Sequence, residues 1–145
     1  MVNSNIVITQ ISNTNSYLIK NFLDSAGESL KSFRYYNTRS LEIIKEHLIT
    51  AVLENNNQIV GYGHLDKENN KVWLGIAICE AETGKGLGKL MMLYLTQKAD
   101  EMKIKSVYLS VDKSNLLAIE LYKKFGFSLF KDTSDSTQLM IRKYC

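Results

Sequence analysis

The sequence predicts an α+β fold built on a mixed β-sheet. Runs of β-branched and alternating apolar residues follow one another with short polar turns between them, and a glycine-rich turn then joins a strand to a long amphipathic helix. Short turns connect antiparallel strands, whereas a strand, helix and strand unit brings its second strand back parallel to the first. We therefore expect a mostly antiparallel sheet, flanked by helices, that contains one parallel pair of strands.

The first half of the chain predicts one strand, two helices and a meander of three strands. The β-branched run from Ile6 to Ile11 is typical of a strand, and apolar residues at helical spacing follow over 17–23 and 41–48. Thr38 or Ser40 can cap the second helix. The three later strands are predicted over 49–54, 58–65 and 72–79, with polar turns at 55–57 and 66–70.

The second half predicts a helix, a strand, another helix and two closing strands. Apolar residues from Leu90 to Met102 form a broad helical face, and the alternation over 107–111 is typical of a strand. Ser114 is the expected N-cap of the next helix, which should end at Gly126. The stripe expected to face the core from this helix consists of Leu117, Leu121 and Phe125. The closing strands are predicted over 127–130 and 138–142.

Composition limits the kinds of protein this chain can be. Its 145 residues, 45% of them hydrophobic, suit a single domain over 1–145 with a buried core. No apolar run reaches the roughly 20 residues of a membrane helix and no signal peptide is visible, so we expect a cytoplasmic protein without a membrane partner. The formal charge is +3 and the lysines are scattered, which predicts no nucleic-acid partner. Cys79 and Cys145 show no metal-ligand or redox spacing, so no metal is expected. The closing strand over 138–142 could pair across a homodimer.

A glycine-rich turn is the first candidate binding site. It lies between a strand and an amphipathic helix, where backbone N–H groups at the helix start can converge on an anion such as a pyrophosphate. Its spacing excludes both a Walker loop and a dinucleotide-binding fingerprint. A flexible turn with a glycine cap is the alternative. The candidate binding residues are Thr83, Gly84, Lys85, Gly86, Leu87, Gly88 and Lys89.

A second candidate site lies on the helix that follows Ser114. Asn115, Ala118 and Tyr122 are at positions i, i+3 and i+7 and so share one stripe of the helix. A small residue between an amide and a phenol leaves room for a ligand along the helix. The alternative is an ordinary amphipathic helix with a half-buried tyrosine. The two motifs together favour the ligand.

Together, these two motifs resemble the cofactor motifs of GNAT acetyltransferases. The first, Thr83-Gly84-Lys85-Gly86-Leu87-Gly88, is similar to the family's pyrophosphate loop, although Thr83 replaces the usual Gln or Arg. The second runs from Asn115 through Tyr122 to Phe127, and the resemblance covers roughly 72–130. It implies a GNAT-like fold, acetyl-CoA as co-substrate, and a strand over 74–78 that splays from its parallel neighbour. It further implies that N–H groups near Ile76 and Ile78 hold the cofactor, that Asn115 contacts it, and that Tyr122 is the general acid.

A GNAT enzyme must also remove a proton from its acceptor amine before the amine attacks. His64, on the strand before the splayed one, is the candidate general base because imidazole titrates near neutral pH, and a hydrogen-bonded structural histidine is the alternative. Arg34, Tyr35 and Tyr36 could bind the acceptor, and the arginine favours a small anionic amine, such as a nucleotide-linked amino sugar or an amino acid, over a polyamine. The alternatives are a packed loop at these residues and, for the whole chain, a peptide or protein N-acetyltransferase or a non-catalytic acyl-CoA-binding module.

Overall fold

The computed structural model of this chain describes residues 6–11, 48–56, 58–79 and 86–144. The strands are β1 Ile6–Gln10, β2 Ile49–Asn55, β3 Gln58–Glu68, β4 Lys71–Ile78, β5 Ser106–Asp112, β6 Phe127–Asp132 and β7 Thr137–Lys143. The helices are α1 Leu87–Glu101 and α2 Leu116–Lys124. The helices predicted over 17–23 and 41–48 lie outside the described residues, apart from Leu48.

The described strands form one mixed sheet in the order β1-β2-β3-β4-β5-β7-β6. Every neighbouring pair is antiparallel except β4 and β5, which are parallel. This arrangement confirms the predicted fold class. The parallel pair arises because α1 connects β4 to β5 and returns the chain to the same end of the sheet.

The hairpin between β3 and β4 is tighter than the sequence predicted. Only Asn69 and Asn70 separate the strands, and both have positive φ angles, 54° and 64°. Two consecutive residues with positive φ make a type I′ turn, which asparagine tolerates better than most residues do. The strands therefore continue to Glu68 and begin again at Lys71, well inside the predicted turn over 66–70.

The core lies between one face of the sheet and the two described helices. Met91 and Leu95 of α1 are completely buried against Leu65 of β3 and Leu109 of β5. The approach is closest at Gly63, where a Cβ atom would lie 2.7 Å from Sδ of Met91 and 2.9 Å from Cδ1 of Leu95. Glycine at this position therefore lets α1 lie directly on the sheet.

The start of α2 differs from the prediction by one residue. Asn115, not Ser114, is the N-cap, and its Oδ1 accepts a hydrogen bond from the N–H of Ala118 at 3.2 Å. Leu117 was expected in the core but is 87% exposed, whereas Ile119 is buried. Residues at i, i+4 and i+8 are each rotated by about 40° around the helix axis from the one before. The first residue of such a stripe can therefore point to solvent while the last one packs against the core. The predicted helix end is confirmed, since Gly126 follows the helix at φ 93°.

Arg142 ties the last strand to both helices. Its guanidinium donates to the two carboxylate oxygens of Asp100 in α1 at 2.9 and 3.1 Å, and its Nε donates to the carbonyl of Phe125 at 2.8 Å. The last turn of α1 and the end of α2 are thus fixed against β7. No described helix has both the length and the apolar character needed to cross a membrane.

Candidate functional site

The parallel strands β4 and β5 separate after a short region of pairing. Their register consists of Val72 opposite Val107 and Trp73 opposite Tyr108, although β4 continues to Ile78 and β5 to Asp112. Beyond Trp73, β4 stays paired with β3 and β5 stays paired with β7. The splayed strand pair that the family resemblance implied is therefore confirmed, and a wedge-shaped opening lies between the carboxyl ends of the two strands.

The backbone groups of Ile76 and Ile78 face this opening. Cys79 donates its N–H to the carbonyl of Val60 at 2.7 Å, which fixes the phase of the hydrogen-bond ladder between β3 and β4. Hydrogen-bonded and non-hydrogen-bonded pairs alternate along an antiparallel ladder, so Ala77 turns its N–H toward β3 and the residues on either side of it turn theirs away. The predicted amides at Ile76 and Ile78 thus lie on the edge of β4 that borders the opening.

Both described helices begin at the open end of the parallel pair. The chain passes from the carboxyl end of β4 into α1 and from the carboxyl end of β5 into α2. Parallel strands have their carboxyl ends on the same side, so the two helix N-termini lie at the splayed end of the sheet. The free N–H groups and positive dipole end of each helix favour an anion there.

The N-terminus of α1 is shaped by two glycines with different roles. Gly86 is the N-cap at φ 80°, a left-handed conformation that other residues adopt only with strain, and a Cβ placed on it meets no heavy atom of the described residues within 4 Å. Gly88 instead allows close helix packing, since its Cβ would lie 3.3 Å from Cδ2 of Leu121 in α2. Leu87 is buried in the core, and Lys89 is exposed.

The described start of α1 has no feature that would exclude an anion. Its first turn carries no acidic residue, and no described atom lies within 4 Å of the position that a Cβ on Gly86 would take. Thr83, Gly84 and Lys85 belong to the same predicted loop but lie outside the described residues. The acceptor-binding candidates Arg34, Tyr35 and Tyr36 lie outside them as well. Within the described residues, no group of three potential ligands could hold a metal ion.

Tyr122 lies on α2 and packs against the core. Its ring centroid is 6.2 Å from that of Phe127, and the residue keeps partial exposure. Burial of the phenol raises the pKa of Tyr122 to about 12, because a phenolate would lose its hydration there. The phenol is consequently protonated across the physiological range. Asn115, two stripe positions away at the start of α2, uses Oδ1 as the cap and can offer its amide nitrogen to a ligand.

His64 lies on the sheet face opposite α1 and is completely buried. Its Nδ1 is 2.9 Å from the hydroxyl of Tyr62, two residues earlier on the same strand. In the register, His64 is opposite Gly75 of β4, and Tyr62 is opposite Ala77. The two residues of β4 that lie between these side chains and the opening are therefore among the smallest available.

Tyr62 was missed as a candidate in the sequence. The signal was present, because positions i and i+2 of a strand point to the same face and Tyr62-Gly63-His64 places two polar rings there. The sequence does not show, however, that Gly75 and Ala77 of the next strand lie beside these two rings. That information depends on the register between β3 and β4.

The chain resembles known acetyltransferases in sequence. The profile of the acetyltransferase (GNAT) family matches residues 16–127. The chain is 47% identical over 64 residues to the spermine/spermidine N(1)-acetyltransferase of Bacillus subtilis strain 168. This aligned region covers 43% of this chain and 42% of that protein. It is 37% identical over 70 residues to the uncharacterized N-acetyltransferase YobR of the same strain, covering 48% of this chain and 25% of that protein. The matched region thus spans less than half the length of each relative.

Solved structures share the fold at low sequence identity. The GNAT domain of PAT from S. lividans superposes with a TM-score of 0.79 at 12% identity, covering 97% of this chain and 96% of that one. The PaiA N-acetyltransferase of Thermoplasma acidophilum, solved in complex with coenzyme A, gives a TM-score of 0.72 at 21% identity, with 97% and 99% covered. Because the family profile matches well over half of its length, the chain belongs to the GNAT family of acetyltransferases.

Proposed function

We propose that this chain transfers the acetyl group of acetyl-CoA directly to a primary amine of a small molecule. The observation that carries the proposal is the opening between β4 and β5, which has backbone amides on one edge and the N-termini of α1 and α2 at its mouth. A slot with amides along one side and an anion site at its end suits a long ligand that carries phosphates and an acyl group.

The chain's residues divide the binding of acetyl-CoA between them. The N–H groups at Gly86, Leu87 and Gly88, with Thr83, Gly84 and Lys85 before them, would hold the pyrophosphate, and Lys89 would add positive charge nearby. The amide of Asn115 and the backbone N–H of Ile76 would hold the pantetheine arm. The N–H of Ile78 would donate to the thioester carbonyl and stabilise the negative charge that develops on its oxygen as the amine attacks.

Tyr122 would act on the departing sulfur. As the new C–N bond forms and the C–S bond breaks, the phenol donates a hydrogen bond to the thiolate of CoA. The pKa of the phenol is about 12, whereas that of a thiol is near 8.5. Complete transfer of the proton from the phenol to the thiolate would therefore cost about 5 kcal/mol. We therefore assign to Tyr122 stabilisation of the leaving thiolate by a hydrogen bond, with proton transfer completed only after the charge has formed.

His64 would receive the proton of the amine through a water molecule. Neighbouring strands are about 4.8 Å apart, and the opening lies one strand beyond His64, so the imidazole is too far away for direct contact with the reacting nitrogen. One water placed over Gly75 would bridge that distance without obstruction by a side chain of β4. A general base can act on a substrate through a single bridging water in this way.

Two acceptor classes fit different observations. The name of the Bacillus subtilis relative favours a polyamine such as spermidine. The arginine at position 34 favours an anionic amine such as an amino sugar phosphate, because a guanidinium pairs well with phosphate or carboxylate. Both are small primary amines, and the sequence similarity favours the polyamine.

The test is a measurement of CoA thiol release by the purified chain. Acetyl-CoA is supplied with spermidine, spermine, glucosamine 6-phosphate or a short peptide that begins with alanine, and saturable release that requires one of the first three acceptors is expected. The Gly86→Asp variant is the control, because its side chain and charge would occupy the phosphate site. Binding of acetyl-CoA without turnover on any amine would indicate a non-catalytic binding module, and turnover on the peptide alone would indicate a peptide acetyltransferase.

A further inference from the structure

Four lysines that are scattered in the sequence line one groove in the structure. Lys67 and Lys71 come from the β3–β4 hairpin, and Lys103 and Lys105 come from the segment between α1 and β5. The groove has a volume of about 500 Å³ and also includes Tyr108. We propose that this lysine groove, defined by the four lysines and Tyr108, binds a small anion that carries several phosphate groups.

Among the residues that the structure describes, no carboxylate balances the positive charge in the lysine groove. None of the described lining residues is acidic, and the ion pairs between described residues involve Lys98, Lys113, Lys123 and Arg142 instead. Glu68 is opposite Lys71 in the hairpin register but does not line the groove. Four like charges around one concave surface repel one another, and a bound polyanion would relieve that repulsion.

The backbone holds these lysines in place from both sides. The type I′ turn at Asn69 and Asn70 fixes the hairpin that carries Lys67 and Lys71. Lys103 has a φ of 57° at the position after the C-cap of α1, where its N–H donates to the carbonyl of Asp100. Glycine is the usual residue there because it adopts this conformation without strain. The chain thus keeps a lysine side chain where glycine would be the more stable choice.

Stabilisation of the helix end accounts for only part of the cluster. Positive charges after a helix C-terminus interact favourably with the helix dipole, which explains Lys103 and Lys105. Lys67 and Lys71 belong to different strands and contribute nothing to that effect. Lys71 lies over the ring of Tyr108, with its Nζ 5.8 Å from the ring centroid, so the charge of this lysine is held next to another residue that lines the groove.

A compact polyphosphate fits the lysine groove better than a nucleic acid does. The volume of the groove is in the range of sites for small ligands. The four lysines carry more positive charge than the formal net charge of the chain, which is +3, so the rest of the sequence has no net positive charge. A nucleic acid needs a longer basic track. The groove lies where β4 and β5 still pair and beside the end of α1, about 20 Å along that helix from its N-terminus. It is therefore separate from the proposed acetyl-CoA site.

The experiment is a calorimetric titration of the chain with inorganic tripolyphosphate in the presence of saturating CoA, which occupies the other phosphate site. One-site binding that weakens with added salt is expected. The double variant Lys71→Gln/Lys105→Gln should bind at least about tenfold more weakly. The matched control Lys124→Gln/Lys131→Gln removes the same charge from exposed sites elsewhere and should bind normally.

A single variant separates loss of the site from loss of the fold. Lys103→Gly removes one charge and relieves the positive φ, so it should raise the melting temperature while it weakens tripolyphosphate binding several-fold. Three results would overturn the proposal. These are no binding under saturating CoA, equal weakening in the control variant, or binding of single-stranded RNA that tripolyphosphate does not displace.

Discussion

The hydroxyl of Tyr62 lies 2.9 Å from Nδ1 of His64, and both side chains are almost completely buried on the face of the sheet opposite α1. The direction of this hydrogen bond determines what the imidazole can do. If the hydroxyl donates to Nδ1, the neutral ring carries its proton on Nε2 and cannot accept another there. If Nδ1–H donates to the hydroxyl oxygen, the lone pair of Nε2 can accept a proton. His64 can therefore work as a base through Nε2 only when Nδ1–H donates to Tyr62, and the role proposed for His64 requires that direction of the hydrogen bond.

We predict that Tyr62→Phe lowers kcat roughly 10- to 100-fold and leaves the KM for acetyl-CoA unchanged. The substitution keeps the ring, which meets the imidazole edge to face at 5.5 Å, and removes only the hydroxyl. Steady-state kinetics with the acceptor identified by the thiol-release screen would measure it. Tyr94→Phe, on α1, is the matched control and should retain full activity.

The same pair allows a test of whether Tyr62 acts through His64. In a double-mutant cycle, Tyr62→Phe should have no further effect on kcat when His64 is already alanine, because the hydroxyl then has no imidazole to orient. Equal losses in the presence and absence of His64 would contradict the coupling. If His64→Ala leaves kcat unchanged, the histidine has a structural role only.

A second prediction concerns the pH dependence of Tyr122. Burial raises its pKa to about 12, so the phenol stays protonated and any fall in activity between pH 8 and 10 belongs to another group. Tyr122→Phe should lower kcat about 100-fold without changing the affinity for acetyl-CoA, since the hydrogen bond forms as the thiolate leaves. The variant's remaining activity should show the same pH profile as the parent chain. A profile whose alkaline limb disappears in Tyr122→Phe would show that the phenol titrates lower than the structure indicates.

Sequence and structure agree best where the signal is local. Strand alternation, the helical periodicity of α1 and the glycine that follows α2 depend on near neighbours, and these elements were correctly predicted. The opening between β4 and β5 was predicted from the family resemblance, because no local pattern within β4 indicates where its pairing with β5 ends. Leu117 was misplaced because a helical stripe drifts, so which of its residues remain buried depends on the packing partner.

Features that depend on distant segments could not be predicted from the sequence. The lysine groove joins a hairpin to a helix end more than 30 residues away, so its charges looked scattered in the sequence. Gly63 shows the same limit. In the sequence it is a glycine inside a strand, and its importance comes entirely from the approach of Met91 in α1.

A third prediction compares Gly63 with Gly86. Gly63→Ala should destabilise the fold by about 1–3 kcal/mol, because its methyl group would displace the buried side chains of Met91 and Leu95. Gly86→Ala should cost about 1–2 kcal/mol for a different reason, since alanine is strained at φ 80° although space is available. Urea unfolding measures both losses. Folded Gly63→Ala should still bind acetyl-CoA normally, whereas Gly86→Ala should bind it more weakly, and equal affinities would argue against the proposed phosphate site.

A fourth prediction concerns the ion pair between Asp100 and Arg142. The hydrogen bonds from Arg142 lower the pKa of Asp100 below its ordinary value of 3.8. A carboxylate whose pKa is depressed by folding stabilises the fold fully above its unfolded pKa, and that contribution disappears as the pH falls through the folded value. Asp100→Asn should therefore reduce stability at pH 7 and pH 5 alike, and the difference from the parent chain should shrink below about pH 4.

The size of that effect follows from exposure. The side chain of Asp100 is 42% exposed, so water screens the pair and Asp100→Asn should cost only about 0.5–1 kcal/mol. Arg142→Lys should cost about 1–2 kcal/mol, because lysine cannot keep the paired contacts with Asp100 together with the Nε bond to Phe125. Glu101→Gln is the control, since its 3.5 Å pair with Lys98 is largely exposed and should contribute almost nothing. A pH-independent loss in Asp100→Asn would mean that the carboxylate contributes through packing, because a contribution from its charge must vanish on protonation.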